Sequence, residues 1–416
     1  MKSKLIKILR WIQQYTKTDM VSLTKNGSWT MLSYVIQVGT GVITTIALAN
    51  LLPKEILGTY QFILSVAAIL SVLTLSGLSK AIISTVARGN DGVLRSGVRT
   101  KLKWNILIFL ASGIVAGYYA WQGNNELAVA FLIVGAFAPL IEAFKLYHAF
   151  LIGKEAFRDT VMLGVWRKPL PLVAVVATAY LTNNITWMIL AYFASHSISY
   201  VALYIITVRK YNLPKTEDEA TISYSKHLSA INLFGKVASY MDKILIWHFL
   251  GAAAVASFTI AQLATKYSGG ALNVLSQQVL PKVSKRDLPT LQKTLPHKVR
   301  LFTLVMAAGA GVYILLAPFM FALLFPEYPE SIALSQVLAL TLLFLPNQIY
   351  SQVLTAHRQI RSQYALSIII PFIKTLLLFT LIPLYGIWGA VYVTLFMGII
   401  GSITTRYFFS NAKSTN

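Results

Sequence analysis

The residues able to do chemistry in this 416-residue chain are mostly lysines set in apolar sequence. In the stretch 235–270, GKVASYMDKILIWHFLGAAAVASFTIAQLATKYSGG, two apolar runs joined by a turn at Leu250–Ala252 carry Lys236, Asp242, Lys243 and Lys266. Each run extends to the roughly 20 residues that cross a bilayer as a helix. A charge at the centre of such a helix costs roughly 2.5–3.5 kcal/mol on insertion scales, so it faces a protein interior or a water-filled path. Lys236, Tyr240, Lys243 and Trp247 fall on one helix face, and Gln262 and Lys266 share a second. The spacing predicts a positively charged cavity, suited to holding an anion.

Lys145, Arg167, Lys168 and Lys374 also lie in apolar runs, so seven bases face two acids there, Glu142 and Asp242. Glu142 and Lys145, three residues apart, are placed to pair on one helix. Arg167 and Lys168 precede Pro169, a helix-kinking position, and long basic stems can also reach back to the membrane surface. Asp242 fits either a structural partnership with Lys266 or Lys374 or a coupling-ion site. His196, between two serines, fits a proton relay or an ordinary hydrogen bond. Gln348, Ser351 and Gln352 lie on a face with Thr355, and their amides and hydroxyls suit sugar hydroxyls or helix–helix bonds. With no cysteine in the chain, thiolate metal sites and iron–sulfur clusters are excluded, and neither a metal nor a cofactor is expected.

The elements that must position these groups follow from composition. Charged residues make up 12% of the chain, against about 25% in a soluble domain, 56% are hydrophobic, and mean hydropathy is +0.64. The chain is therefore expected to be a membrane protein with the bilayer as its solvent, and spanning-length apolar runs make the expected fold all-α. Its net charge of +22 would suggest nucleic acid in a soluble protein, but the distribution of charge assigns it to membrane topology, and no nucleic-acid partner is expected.

Apolar runs of spanning length fall near 27–50, 56–77, 102–121, 127–150, 159–181, 185–207, 227–249, 253–275, 301–324, 332–355, 363–383 and 386–405. Of the 36 Lys and Arg, 28 lie in or at the edges of the N-terminal tail, the connections after even spans and the C-terminal tail. Seven lie inside spans and one, Lys54, in an odd connection. Cytoplasmic loops carry the Lys/Arg excess, so both termini are expected in the cytoplasm and the short turns outside, in the inner membrane of the cell. The first 26 residues carry Leu5, Ile8, Leu9, Ile12 and Tyr15 on one helical face with basic residues elsewhere. That pattern fits a helix lying on an anionic leaflet, or a basic tail obeying the charge rule alone. No G-x-x-x-x-G-K-[ST] loop is present, and the outward turns are too small for a catalytic domain, so a transporter rather than an enzyme is expected.

The spans divide into residues 27–208 and 224–408, joined by a polar linker at 209–223 and followed by a tail at 409–416. The halves resemble each other. LPKEILGTY (52–60) and LGAAAVASF (250–258) occupy corresponding turns, and prolines enter the fifth and eleventh spans at Pro169, Pro171 and Pro371. Repeats of this kind build transporters that rock about a site near mid-membrane.

Two signatures carry a family resemblance. They are ALANLLPKEILGTY (47–60) with Ser76, Gly77 and Leu78, and YMDKILIWHFLG (240–251) with Val255, Phe258 and Ala261. On these the chain resembles the oligosaccharide flippase (polysaccharide exporter) family of the multidrug/oligosaccharidyl-lipid/polysaccharide exporter superfamily. It departs from the usual pattern at Ala256 and Phe258, where Gly and Tyr are commoner. The resemblance implies twelve transmembrane helices in two six-helix lobes. It also implies a monomer that moves an undecaprenyl-diphosphate-linked oligosaccharide from the inner to the outer leaflet, with a polysaccharide polymerase or synthase as a further partner. Rival readings are a multidrug or toxin extruder of the same superfamily, whose cationic cargo needs carboxylates, and a membrane glycosyltransferase or polymerase, which needs an acid pair in a sizeable loop. Seven buried bases against two acids favour an anionic cargo.

Overall fold

In the computed structural model, residues 20–214, 219–271, 287–357 and 359–412 are described. The expected amphipathic segment at 1–19, the middle of the 209–223 linker and the last residues of the tail lie outside them. Among the described residues the chain folds as helices throughout, because a bilayer leaves no water to satisfy backbone groups and a helix satisfies them within the segment.

Among the described residues ten helices are long and apolar enough to cross a membrane: Met31–Leu51, Lys54–Leu73, Val93–Trp121, Asn125–Gly153, Phe157–Leu181, Ile185–Lys210, Leu288–Leu324, Glu330–Ala356, Ser362–Tyr385 and Ile387–Ser410. They match ten of the twelve expected spans. The other two are helical but fall short in composition or length, for a reason visible in their residues. The helix Glu219–Leu250 is 32 residues long, yet Lys236, Asp242 and Lys243 dilute its apolar character. The helix Ala252–Ala261 is short, although bonds from Gln262 N to Phe258 O (3.0 Å) and from Lys266 N to Gln262 O (2.9 Å) carry it onward. The two spans that fall short, one through its charges and one through its length, carry the candidates Lys236, Asp242, Lys243, Gln262 and Lys266.

Local sequence sets the boundaries. Asn124 accepts from the Leu127 N–H at 3.0 Å and Asn184 from the Thr186 N–H at 2.9 Å, so each caps the helix that follows a short turn. Asp287 caps Leu288–Leu324 in the same way, and hydrogen bonds from the Thr290 hydroxyl and N–H hold its carboxyl below the usual range. Gly251, at φ +84°, makes the turn between the Glu219–Leu250 and Ala252–Ala261 helices. Pro169 splits the fifth span into Phe157–Arg167 and Pro169–Leu181. One boundary differs from expectation. The basic connection read as running from Leu78 to Lys101 is itself mostly helical, in Leu78–Ala87 and Val93–Trp104. Its face of Leu94, Val98 and Lys101 is buried.

The outer shell is apolar, with Ile114, Leu315, Phe319 and Leu323 each more than two-thirds exposed. That surface fits hydrocarbon and not water. Trp121, Tyr180 and Trp187 stand exposed near helix ends, where aromatic belts form.

The first and second halves of the chain meet closely at the face of the short turns. Lys54 Nζ bonds Glu330 Oε1 at 2.8 Å and Asn50 Nδ2 donates to the Leu324 carbonyl at 2.9 Å, while Ser257 Oγ, from the same half as Glu330, donates to it at 2.7 Å. Below them Phe62 and Trp247 stack at 4.4 Å. Gly58 lies so near the Ala252 carbonyl that a Cβ there would fall 1.8 Å from the oxygen. Nearer the opposite face, the Gly77 N–H donates to Ser229 Oγ at 2.9 Å.

Candidate functional site: a cationic chamber between the halves

A chamber of about 640 Å³ lies between the halves. Its walls come from the Lys54–Leu73, Asn125–Gly153, Phe157–Leu181 and Ile185–Lys210 spans, the Glu219–Leu250 helix and the helical turn carrying Lys266. Five cationic side chains line it: Lys145, Arg167, Lys236, Lys243 and Lys266. Among the described residues one carboxylate, Glu142, accompanies them.

That carboxylate is already engaged. Glu142 Oε2 accepts from Lys101 Nζ at 3.2 Å, and Oε1 accepts from Lys145. A buried charge is expensive unless paired, and here two ammonium groups share one carboxylate. The triad therefore keeps a positive charge of its own, and Glu142 leaves nothing over to neutralise the chamber. Lys101 is 1% exposed, and assigning it to a loop concealed it. Its signal was available in the sequence, since Leu94, Val98, Lys101 and Asn105 form one helical face.

Lys243 and Arg167 are held by groups that leave their charge intact. Lys243 Nζ donates to Gln61 Oε1 at 3.3 Å. The Arg167 guanidinium donates to the Tyr200 hydroxyl and lies 4.9 Å from that ring's centre, a cation–π distance. Lys236 and Lys266 are exposed along the chamber wall, and Tyr240 shares that wall with Lys236. His196 contacts the Tyr192 carbonyl through Nδ1 at 2.9 Å. A carbonyl only accepts, so Nδ1 carries the proton and Nε2 is left as the ring's remaining polar atom.

Gln61, Ser65 and Ser71 add polar groups from the second span that sequence reading did not single out. Gln61 and Ser65 stand four apart in an otherwise apolar run, a spacing that puts them on one face. A side chamber of about 320 Å³ adjoins the first and shares Gln61, Arg167, Tyr192, His196 and Lys266 with it. Lys168 lines this annex, facing Gln37, Thr40 and Thr44 of the first span. Nearby, the Tyr34 hydroxyl donates to the Tyr267 carbonyl.

Several expected lining residues lie elsewhere. Lys374 points away from the chamber, donating to the Ala238 carbonyl at 3.0 Å with Asp242 Oδ2 3.9 Å away. Asp242 is 4% exposed, caps the Lys243 N–H at 2.8 Å and accepts from Gln262 Nε2 at 3.4 Å. Asp242, Gln262 and Lys374 thus form a polar knot inside the second half, behind the chamber wall. The helix turns Lys236, Ser239, Tyr240 and Lys243 toward the chamber, and so turns Asp242 away. Gln348, Ser351 and Gln352 are half-buried on Gln348–Ala356 and do not line the chamber, because a 3₁₀ segment at Leu340–Asn347 precedes that helix in the same span.

Helical architecture and chamber together define a multi-pass membrane protein with the fold of the multidrug/oligosaccharidyl-lipid/polysaccharide exporter superfamily. The chain belongs to the polysaccharide biosynthesis protein family, whose model matches residues 23–286. Among solved structures it is similar to the lipid II flippase MurJ in an inward closed conformation, with TM-score 0.73 and 13% identity over 92% of this chain and 87% of that chain. It is also similar to an inward-facing multidrug resistance MATE family transporter, with TM-score 0.68 and 14% identity over 92% of this chain and 98% of that one. A third is a superfamily transporter from Pyrococcus furiosus described as having a binding pocket of reverse polarity, with TM-score 0.66 and 15% identity over 94% of this chain and 95% of that one. No curated protein sequence matches the chain.

Proposed function

We propose that the chamber carries the diphosphate–sugar head of an undecaprenyl-diphosphate-linked oligosaccharide from the inner to the outer leaflet. The observation that carries this reading is the charge of the chamber wall, five bases against one carboxylate that is already bound by Lys101 and Lys145. A bare anion pays tens of kcal/mol by Born estimates to enter hydrocarbon, and a hydrated cationic path removes most of that cost. Gln61, Ser65, Ser239 and Tyr240 supply donors and acceptors for sugar hydroxyls. The lipid tail stays in the bilayer.

The positive-inside rule puts both termini in the cytoplasm and the Lys54–Glu330 contact on the outer side. Translocation then proceeds by alternating access: the outer contacts between the halves part as those nearer the cytoplasm close. Asp242, Glu142 and His196 are the groups available for proton or sodium coupling, and the polar knot that holds Asp242 favours a structural role for it. We assign the working unit as a monomer in the cytoplasmic membrane, supplying a polymerase or synthase with its glycolipid substrate. An organic cation suits this wall poorly, which weighs against multidrug extrusion. The testing experiment follows leaflet accessibility of lipid-linked oligosaccharide in liposomes. Lys243→Ala and Lys266→Ala should each slow translocation about tenfold, and wild-type rates in both would remove the proposed site.

A further inference from the structure

A second cavity, of about 770 Å³, lies wholly within the second half of the chain and shares no lining residue with the chamber. It runs between the Leu288–Leu324, Glu330–Ala356 and Ile387–Ser410 helices. Arg300, Arg406 and His297 are its charged or ionisable nitrogen groups, and among the described residues no carboxylate lines it. Among the described residues neither arginine has an ion-pair partner. Asn347 donates to Ser402 Oγ at 3.1 Å and continues the polar end. Thr303 and Tyr350 add hydroxyls, and the apolar side is formed by Leu304, Leu343, Phe344, Ile399 and Ile403. Leu304 is 60% and Ile403 64% exposed, so this side opens outward to the surrounding lipid.

The arginines stand at a defined depth. By helical rise Arg300 lies about 36 Å from Leu324, and Arg406 about 28 Å from Ile387, both measured from the face of the short turns. A hydrocarbon core is about 30 Å thick, so both guanidinium groups reach the opposite interface while the apolar side lies within the acyl region. We infer that this groove binds one anionic glycerophospholipid, its phosphate between Arg300 and Arg406 and an acyl chain along Leu304, Phe344 and Ile403. Basic pockets between transmembrane helices on the cytoplasmic side recognise such headgroups by the same chemistry. The site is independent of the transport reading and requires only that the chain be embedded in a bilayer.

The test uses the purified full-length chain in detergent, with dioleoylphosphatidylglycerol or dioleoylphosphatidylcholine added and bound lipid counted by native mass spectrometry. The anionic lipid should be retained roughly tenfold over the zwitterionic one, an effect in the range of two basic groups near a membrane surface. The Arg300→Gln/Arg406→Gln variant should bind the two lipids alike, and Thr303→Trp, which fills the groove without changing charge, should lose the anionic lipid as well. Thermal midpoints in phosphatidylcholine report whether each variant folds, and the tryptophan variant keeps the test open should the double variant fail to fold. An undiminished preference in either folded variant would overturn the site. Displacement of the anionic lipid by millimolar inorganic phosphate would overturn the lipid assignment in favour of a simple anion site.

Discussion

Lys101 Nζ reaches Glu142 Oε2 at 3.2 Å across the first half of the chain, and the same carboxylate binds Lys145 through its other oxygen. Glu142 therefore makes the buried Lys101 ammonium tolerable while also pairing the half-buried Lys145. Removing it should cost far more than removing either partner. Glu142→Gln is expected to destabilise the detergent-solubilised protein by about 3–5 kcal/mol, the penalty for stranding a buried charge. Lys101→Met leaves Glu142 with Lys145 and should cost much less. Thermal unfolding of the two variants checks the order, and equal losses would contradict the assignment.

The contact between Gly58 and the Ala252 carbonyl has no room for a methyl group, since a Cβ would lie 1.8 Å from the oxygen. Gly58→Ala must push the halves apart at the face of the short turns, at a cost of about 1–3 kcal/mol. The chain has no cysteine, so a single Asn50→Cys reporter labels cleanly. Labelling at that position should rise in the Gly58→Ala background. Unchanged labelling would show that the close approach is not maintained in the membrane.

Lys54 and Glu330 join the halves at 2.8 Å with side chains 30% and 44% exposed. An exposed pair contributes about 0–1 kcal/mol, so Lys54→Ala should leave stability nearly unchanged. Its position matters more than its energy. A Lys54→Cys/Glu330→Cys variant joined by a short thiol cross-linker should stop translocation in liposomes, and reductive cleavage of the linker should restore it. Full activity in the linked state would exclude alternating access through this face.

Asp242 is buried behind the chamber wall against Gln262 and near Lys374. Asp242→Asn should lower stability by about 1–3 kcal/mol through weakened polar pairing and preserve any response of transport to a proton or sodium gradient. If the gradient response disappears in a folded Asp242→Asn variant, the residue is a coupling site. A wild-type rate indifferent to both gradients would remove Asp242 and His196 together as coupling groups.

The architecture was legible because a bilayer enforces it. Apolar run length and the placement of Lys and Arg located ten spans directly, and the other two, one diluted by charge and one short, are those whose charged faces had marked them as site walls. Helical spacing puts Lys236, Tyr240 and Lys243 on one face, and all three line the chamber. Depth in a span did not reveal direction. Lys374 is as deep as Lys243, yet a neighbouring backbone carbonyl at Ala238 and the Asp242 carboxylate draw it behind the wall, a relationship spanning more than 130 residues of sequence. Lys101 was hidden by the opposite error. It sits in a basic stretch, and only its register with Leu94 and Val98 shows that it points inward.

The central claim is that the chamber prefers anions, and equilibrium binding tests it most directly. Purified full-length chain would be titrated with undecaprenyl diphosphate and, separately, with the organic cation tetraphenylphosphonium, at low and high salt. The account predicts that the diphosphate binds and weakens as salt screens the wall, that Lys243→Ala/Lys266→Ala weakens it further, and that the cation does not compete. Tight binding of the cation, displaced by neither diphosphate nor salt, would contradict it.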